Sequence, residues 1–286
     1  MTFPIPQTLS DGVGRSAEGA AWIETLEDHI AAAVTRWEIE IADLFVDEAS
    51  CSWVAPCIQS GGEPAVLKIS FPGTEALHEI DGLVFWDADL TVRLIASDKP
   101  SHTMLLERCL PGTPLRICPE PEQDEVIANI LQHLWRSPDP QSVFRPLSDM
   151  MELWATEAEA EIHLRPDQKL AEAGLQLYRE LSNTADNVLL ATDLHADNVL
   201  KATRAPSLMI DPKPYTGDPC YDATQHLLNC RGRLTAEPHK TISNFANLLG
   251  VDEHRVRAWT FARLAVGGWG DDFTQAQQLA RLISQA

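Results

Sequence analysis

Basic residues are scarce in this chain. Asp and Glu outnumber Lys and Arg 42 to 22, leaving a formal net charge of −20 over 286 residues. A field of that sign repels nucleic acid and anionic membrane surfaces, so neither is expected as a partner, and it favours a cationic small molecule. The same surplus also fits a surface adapted for solubility or for salt. The six cysteines (Cys51, Cys57, Cys109, Cys118, Cys220, Cys230) show no Cys-x-x-Cys spacing, which argues against both a zinc site and a secreted disulfide framework. Most are expected to be small core residues. No uninterrupted apolar segment approaches ~18 residues, and the start, Met-Thr-Phe-Pro-Ile-Pro-Gln, has no basic region followed by an apolar core. The cytoplasm is therefore the expected location. Internal repeats and low-complexity tracts are absent as well.

What is present has an ordinary globular composition, 44% hydrophobic and 22% charged. The length suffices for one large or two modest domains. The chemistry concentrates between Asn187 and Asp222, where two short apolar runs, Val188 to Leu190 and Ser207 to Ile210, lead into Asp193 and Asp211. An acidic residue just past a buried strand, with Asn198 five positions beyond the first one, offers oxygen ligands of the kind Mg²⁺ prefers. The spacing Asp-x-x-x-x-Asn, followed by a strand ending in Asp, is that of the catalytic loop and metal-binding strand of protein-kinase-like phosphotransferases.

Alone, that spacing arises by chance in any proteome. Here three motifs stand in order: Asp193-Leu194-His195-Ala196-Asp197-Asn198-Val199-Leu200, Ile210-Asp211-Pro212-Lys213-Pro214, and Gly217-Asp218-Pro219-Cys220-Tyr221-Asp222. Together they resemble the aminoglycoside phosphotransferases, and within them the streptomycin 6-kinase and hydroxyurea kinase group. The likeness extends from about Trp37 to Arg263 and is most specific at Lys68 and residues 188 to 222. It departs from the group at Ala191 and Thr192, where most relatives carry His-Gly. The resemblance implies an α+β, protein-kinase-like fold of two lobes with ATP and Mg²⁺ in the cleft between them. Residues 1–109 would form a β-rich nucleotide-binding lobe with an N-terminal helix. Residues 110–286 would form a mainly helical catalytic and acceptor-binding lobe.

Periodicity is consistent with that division. Ala20, Ile23, Leu26, Ile30 and Val34 recur at helical intervals from about Ser16. Ile41–Val46, Ser52–Ile58 and Ala65–Phe71 read as an antiparallel meander, a helix is expected over Thr74–Trp86, and strands over Val92–Ala96 and Thr103–Glu107. The remainder up to position 187 reads as helices, over 122–136, 147–163 and 167–182, and helices are again expected over 223–230, 240–249, 253–266 and 271–284.

By the resemblance, Lys68 reaches the α- and β-phosphates of ATP; alternation equally allows a solvent-facing residue on a half-buried strand. Glu79 is the expected partner of Lys68, with Glu75 as the alternative. The hinge, Met104 to Gly112, would bind adenine through main-chain groups at Glu107 and Cys109. No glycine-rich loop lies between Phe45 and Trp53, where Ala49, Ser50 and Ser52 would let backbone amides approach phosphate. Asp193 would receive the proton of the attacking hydroxyl, and Asn198 and Asp211 would hold Mg²⁺. His195 is expected to brace its loop, and Asp197 to face solvent. Lys213 is expected to pair with Asp218 or Asp222, or else to neutralise a phosphate. Asp222 would brace the catalytic loop or cap a helix. Trp259 is expected to pack, and the arginines from Arg255 to Arg263 to pair with the acidic surplus.

The implied acceptor is a small hydroxylated molecule, with cationic streptomycin first and hydroxyurea, a sugar or another metabolite as rivals, handled by a monomer or homodimer. Acceptor-binding carboxylates cannot be assigned among Glu159, Glu161, Asp271 and Asp272. Ala191-Thr192 and the missing glycine-rich loop also motivate a noncatalytic nucleotide-binding regulator.

Overall fold

In this computed structural model residues 3–42, 50–74, 76–184, 187–267 and 272–284 are described. The chain divides into two compact units, residues 1–112 with 201–208, and residues 113–200 with 209–286. The expected strand tract Ile41–Val46 falls largely outside the described residues, as do Ala49, Glu75 and Asp271.

The first unit opens with a short helix, α1 (Gln7–Asp11), and a long one, α2 (Ala17–Trp37). Ser16 starts α2 by accepting the Gly19 N–H at 2.9 Å, satisfying one of the amides left free at a helix start. The buried stripe is Trp22, Leu26, Ile30 and Ala33. It is rotated from the expected one because the large Trp22 ring takes an inward position while Ala20 is exposed. This stripe forms one core with Trp53, Leu67 and Ile69 of the sheet.

The sheet comprises β1 (Ile39–Ile41), β2 (Ser52–Gln59), β3 (Pro64–Ser70), β4 (Leu94–Asp98) and β5 (Thr103–Glu107). It is antiparallel throughout, in the order β1-β2-β3-β5-β4. Lys68 lies opposite Val54 on one side and Met104 on the other, at the centre of the sheet. Helix α3 (Glu79–Trp86) begins later than expected, because His78 has a φ of 67° and cannot belong to a right-handed helix. Residues 201–208 join this unit through Arg204, whose guanidinium reaches the Glu107 carboxylate at 2.9–3.0 Å and the carbonyls of Ala88 and Thr91.

The second unit is mainly helical: α4 (Glu120–Leu134), α5 (Leu147–Ala160), α6 (Gln168–Ser182), α7 (Pro219–Asn229), α8 (Arg231–Ala236), α9 (Pro238–Leu249), α10 (Glu253–Val266) and α11 (Phe273–Ser284). Helix α8 was not expected, since six residues beginning Arg-Gly-Arg carry no readable apolar period. Four short strands, β6 (Val188–Leu190), β7 (Val199–Leu200), β8 (Leu208–Met209) and β9 (Tyr215–Gly217), carry the acidic motifs. β6 and β9 pair antiparallel, Leu190 opposite Tyr215. No helix among the described residues is long and apolar enough to cross a membrane.

Helix α10 runs through this unit's core, with Val256, Trp259, Ala262 and Leu264 buried. It approaches α6 closely at Gly174, where an added Cβ would lie 2.8 Å from Val266 Cγ2, 3.0 Å from Ala265 Cβ and 3.1 Å from the Ala262 carbonyl oxygen. A glycine inside a helix ordinarily costs about 1 kcal/mol relative to alanine, so close helix contact is the reason for it here. Gly174→Val is therefore expected to lower unfolding free energy by roughly 1–3 kcal/mol in chemical denaturation; unchanged stability would show that α6 and α10 have room to separate.

Candidate active site

The site in the second unit is built around a carboxylate with no solvent exposure to speak of. Asp222, in the first turn of α7, is 1% exposed. It accepts the N–H groups of Ala191 and Thr192 at 3.0 and 2.8 Å and the indole N–H of Trp135 at 3.0 Å. Helix capping falls instead to Asp218, which accepts the Cys220 N–H at 3.0 Å and also receives the Trp259 indole and the Arg255 guanidinium. Burial pushes the Asp222 carboxyl up to about 6, against the pull of its three N–H donors.

These bonds shape the turn that follows β6. Thr192 takes a φ of 52°, a conformation that costs a β-branched residue roughly 1–2 kcal/mol. Its amide is fixed by Asp222 and its hydroxyl donates to the Lys213 carbonyl. Those two bonds hold in place a turn that glycine would adopt without strain. The Lys213 N–H donates to the Ala191 carbonyl at 3.0 Å, closing the same turn from the connection between β8 and β9.

Asp193 emerges from this turn partly exposed. Its Oδ1 accepts from Gln225 Nε2 at 2.7 Å, and Lys213 Nζ lies 2.8 Å from its Oδ2. The pairing of Lys213 departs from expectation. Asp218 is filled by Arg255, Trp259 and Cys220, and Asp222 by the loop amides, so the lysine meets Asp193 instead. His195 serves the loop: its Nδ1 accepts the Asp197 N–H at 3.4 Å, while its Nε2 stays 3.9 Å from Asp193. Asp197 is exposed and pairs with Arg116.

Asn198 is tied to the same turn, its side-chain amide donating to the Asp193 carbonyl at 2.9 Å. That bond uses the NH₂ group and leaves the amide oxygen as the end able to ligate a cation. The Asn198 carbonyl accepts the Ile210 N–H at 2.9 Å, which sets Asp211, at a φ of 53°, next to it in the fold. An amide oxygen and a carboxylate are hard donors, and they fit Mg²⁺ rather than a thiophilic metal.

In the first unit the structure brings Lys68 and Glu79 together, Nζ to Oε1 at 2.6 Å, with 6% and 3% exposure. Lys68 therefore faces the interior rather than solvent. Glu107, expected in a nucleotide hinge, gives its side chain to Arg204 and accepts the Arg93 N–H; burial raises its carboxyl, but these bonds outweigh that and hold it below the usual range. Cys109 is buried, and burial pushes its thiol up to about 11, so it is no nucleophile.

Among the described residues, Asp124, His226 and Cys230 form one buried group of metal-ligating types. Both Asp124 oxygens accept from Arg233, and His226 Nε2 lies 2.8 Å from Oδ1. Burial lowers His226 and raises the Cys230 thiol to about 11. It is a buried ion-pair network with the carboxylate already filled, not a metal centre.

Sequence reasoning did not find Gln225, Arg204 or Trp135. Each meets a partner 32 to 97 positions away in the sequence, where neither motif nor period carries a signal.

The raised Asp222 carboxyl has a calculable signature. Between pH ~4 and ~6 the folded form keeps a proton that the unfolded chain has released. This group's contribution to stability is thus full below the unfolded value and is lost as pH rises through about 6. The unfolding free energy of wild type minus that of Asp222→Asn is expected to fall by about 3 kcal/mol between pH 4 and 7.5. A flat difference would mean that Asp222 ionises in the fold as it does in the unfolded chain.

Comparison with known proteins gives the family and the fold. Residues 36–272 match the family model described as aminoglycoside/hydroxyurea antibiotic resistance kinase. The streptomycin 6-kinase of Streptomyces griseus is 32% identical over 275 residues, covering 91% of this chain and 88% of that protein. The hydroxyurea phosphotransferase of Kitasatospora aureofaciens is 29% identical over 253 residues, covering 87% and 74%. Among solved structures, the choline kinase LicA of Streptococcus pneumoniae superposes with a TM-score of 0.65 at 15% identity, covering 90% of this chain and 98% of that one. The aminoglycoside phosphotransferase APH(3'')-Id of Streptomyces rimosus gives 0.55 at 17% identity, covering 86% and 99%. The fold is protein-kinase-like, and the chain belongs to the aminoglycoside/hydroxyurea antibiotic resistance kinase family of phosphotransferases.

Proposed function

We propose that this phosphotransferase moves the γ-phosphoryl group of ATP, with Mg²⁺, onto a hydroxyl of a small cationic acceptor, streptomycin first among candidates. The observation that carries the reading is one hydrogen-bonded scaffold holding three residues. Asn198 is tied to the Asp193 carbonyl and Ile210, preceding Asp211, to the Asn198 carbonyl. Asp193 receives the acceptor proton and orients the attacking oxygen, since positioning and charge neutralisation dominate phosphoryl transfer. Asn198 and Asp211 hold Mg²⁺, which when bound neutralises phosphate charge. Lys68, fixed by Glu79, takes the α- and β-phosphates, and main-chain groups at Glu107 and Cys109 take adenine.

Streptomycin is favoured by the relatives named for it and by the net charge of −20, which attracts a guanidinium-bearing acceptor. Hydroxyurea is the second reading, on the strength of the relative named for that activity.

Mg-ATP consumption by wild type and Asp193→Asn across streptomycin, other aminoglycosides, hydroxyurea, sugars and amino alcohols tests both readings. Asp193→Asn is expected to bind nucleotide normally and to lose roughly 10²- to 10⁴-fold in kcat. Asp211→Asn is expected to lose magnesium-nucleotide binding itself. Turnover on neutral acceptors or hydroxyurea alone would remove streptomycin, and nucleotide binding with no turnover on any acceptor would favour a noncatalytic regulator.

A further inference from the structure

The Asp193 carboxylate is gripped from two sides by groups of different stiffness. On one side Gln225 projects from helix α7 and donates Nε2–H to Oδ1 at 2.7 Å. The other end of that amide is held too: Arg263 donates NH2 to Gln225 Oε1 and NH1 to Thr224 Oγ1, each at 2.8 Å. A guanidinium has no acceptor and an ionised carboxylate no donor, so the amide bridging them has one satisfactory orientation. Arg263 is itself seated against the rings of Tyr221 and Trp154, 5.2 and 5.9 Å from their centroids. On the other side, Oδ2 meets the ammonium of Lys213 at the end of a flexible four-carbon stem, a side chain 27% exposed.

We propose that Gln225, oriented by Arg263, is a positioning residue that holds Asp193 by Oδ1, so that Oδ2, covered at rest by Lys213, is the oxygen that receives the acceptor proton. This rests on the kinase reading above. As the acceptor binds, Lys213 withdraws from Oδ2 while Gln225 stays. The acceptor O–H gives its proton to Oδ2 and its oxygen bonds to the γ-phosphorus of ATP. The bond from that phosphorus to the bridging oxygen of ADP breaks, and ADP leaves with the electron pair. Lys213 is replaceable at the carboxylate, and Gln225 is not.

Gln225→Met keeps the length of the side chain and removes the donor. It is expected to lower kcat roughly 10- to 100-fold with KM for Mg-ATP within about twofold of wild type. Gln225→Glu keeps a partner for Arg263 but presents a second carboxylate to Asp193, and is expected to lose at least as much while still folding, as judged by its melting temperature. Arg263→Lys is expected to lose less. Because Arg263 acts through Gln225, the double variant Gln225→Met/Arg263→Lys should be no slower than Gln225→Met alone. Wild-type kcat in Gln225→Met, or a double variant in which the two losses multiply, would overturn the assignment. Asp193→Asn in the same assay separates the two ideas. If it turns over as fast as wild type, Asp193 is not the proton acceptor and the role of Gln225 falls with it; if it is slowed as expected while Gln225→Met is unimpaired, only the role of Gln225 fails; if wild type turns over no acceptor, the kinase reading itself fails.

Discussion

Three N–H groups on one buried carboxylate hold together the turn that leads into Asp193. Asp222 draws on separate parts of the second unit: helix α7, which carries it, the turn after β6, and Trp135 just past α4. In a low-dielectric interior a lone N–H left without an acceptor costs about 1–3 kcal/mol, so the carboxylate cannot move without several groups losing partners together. The loop inherits its shape from that constraint. Thr192 can occupy a left-handed conformation because its amide is held by Asp222 and its hydroxyl by the Lys213 carbonyl.

Above this base the charges are arranged against the average. The chain carries −20 overall, yet the groups closing around Asp193 are Lys213 and, through Gln225, Arg263. The acidic surplus sets the long-range field, while the local cations hold one carboxylate in a fixed orientation. The Lys68–Glu79 pair in the first unit follows a related logic. Burying both ions to 6% and 3% exposure is a poor route to stability, because desolvation offsets much of the attraction. A stability gain alone is therefore a weak explanation for a buried lysine in the middle of a sheet.

Much of this was legible in the sequence because it is written locally. The period of α2, the alternation of β3 and the order Asp193, Asn198, Asp211 all lie within short windows, and so do their structural consequences. The exact stripe on α2 was not, since Ala20 and Trp22 both fit a helical period and only packing against the sheet selects between them. The expected start of α3 failed for a backbone reason, the left-handed His78, which no side-chain pattern announces. Lys213 was assigned to the wrong carboxylates because three acidic residues lie near it in sequence, and the occupancy of Asp218 and Asp222 depends on Arg255, Trp259 and Trp135, all distant along the chain.

Residues 201–208 belong with the first unit although both neighbours in sequence belong with the second. The polypeptide therefore passes from one unit to the other three times, and neither unit is a single stretch of gene. A fragment ending at Gly112 would lack Arg204 and leave the buried side of Glu107 without its guanidinium; the complementary fragment would carry an eight-residue loop cut off from the body it packs on. A junction anywhere between positions 107 and 204 separates the two members of the Glu107–Arg204 pair. The first unit is thus completed only by chain that lies on the far side of the second unit's first segment.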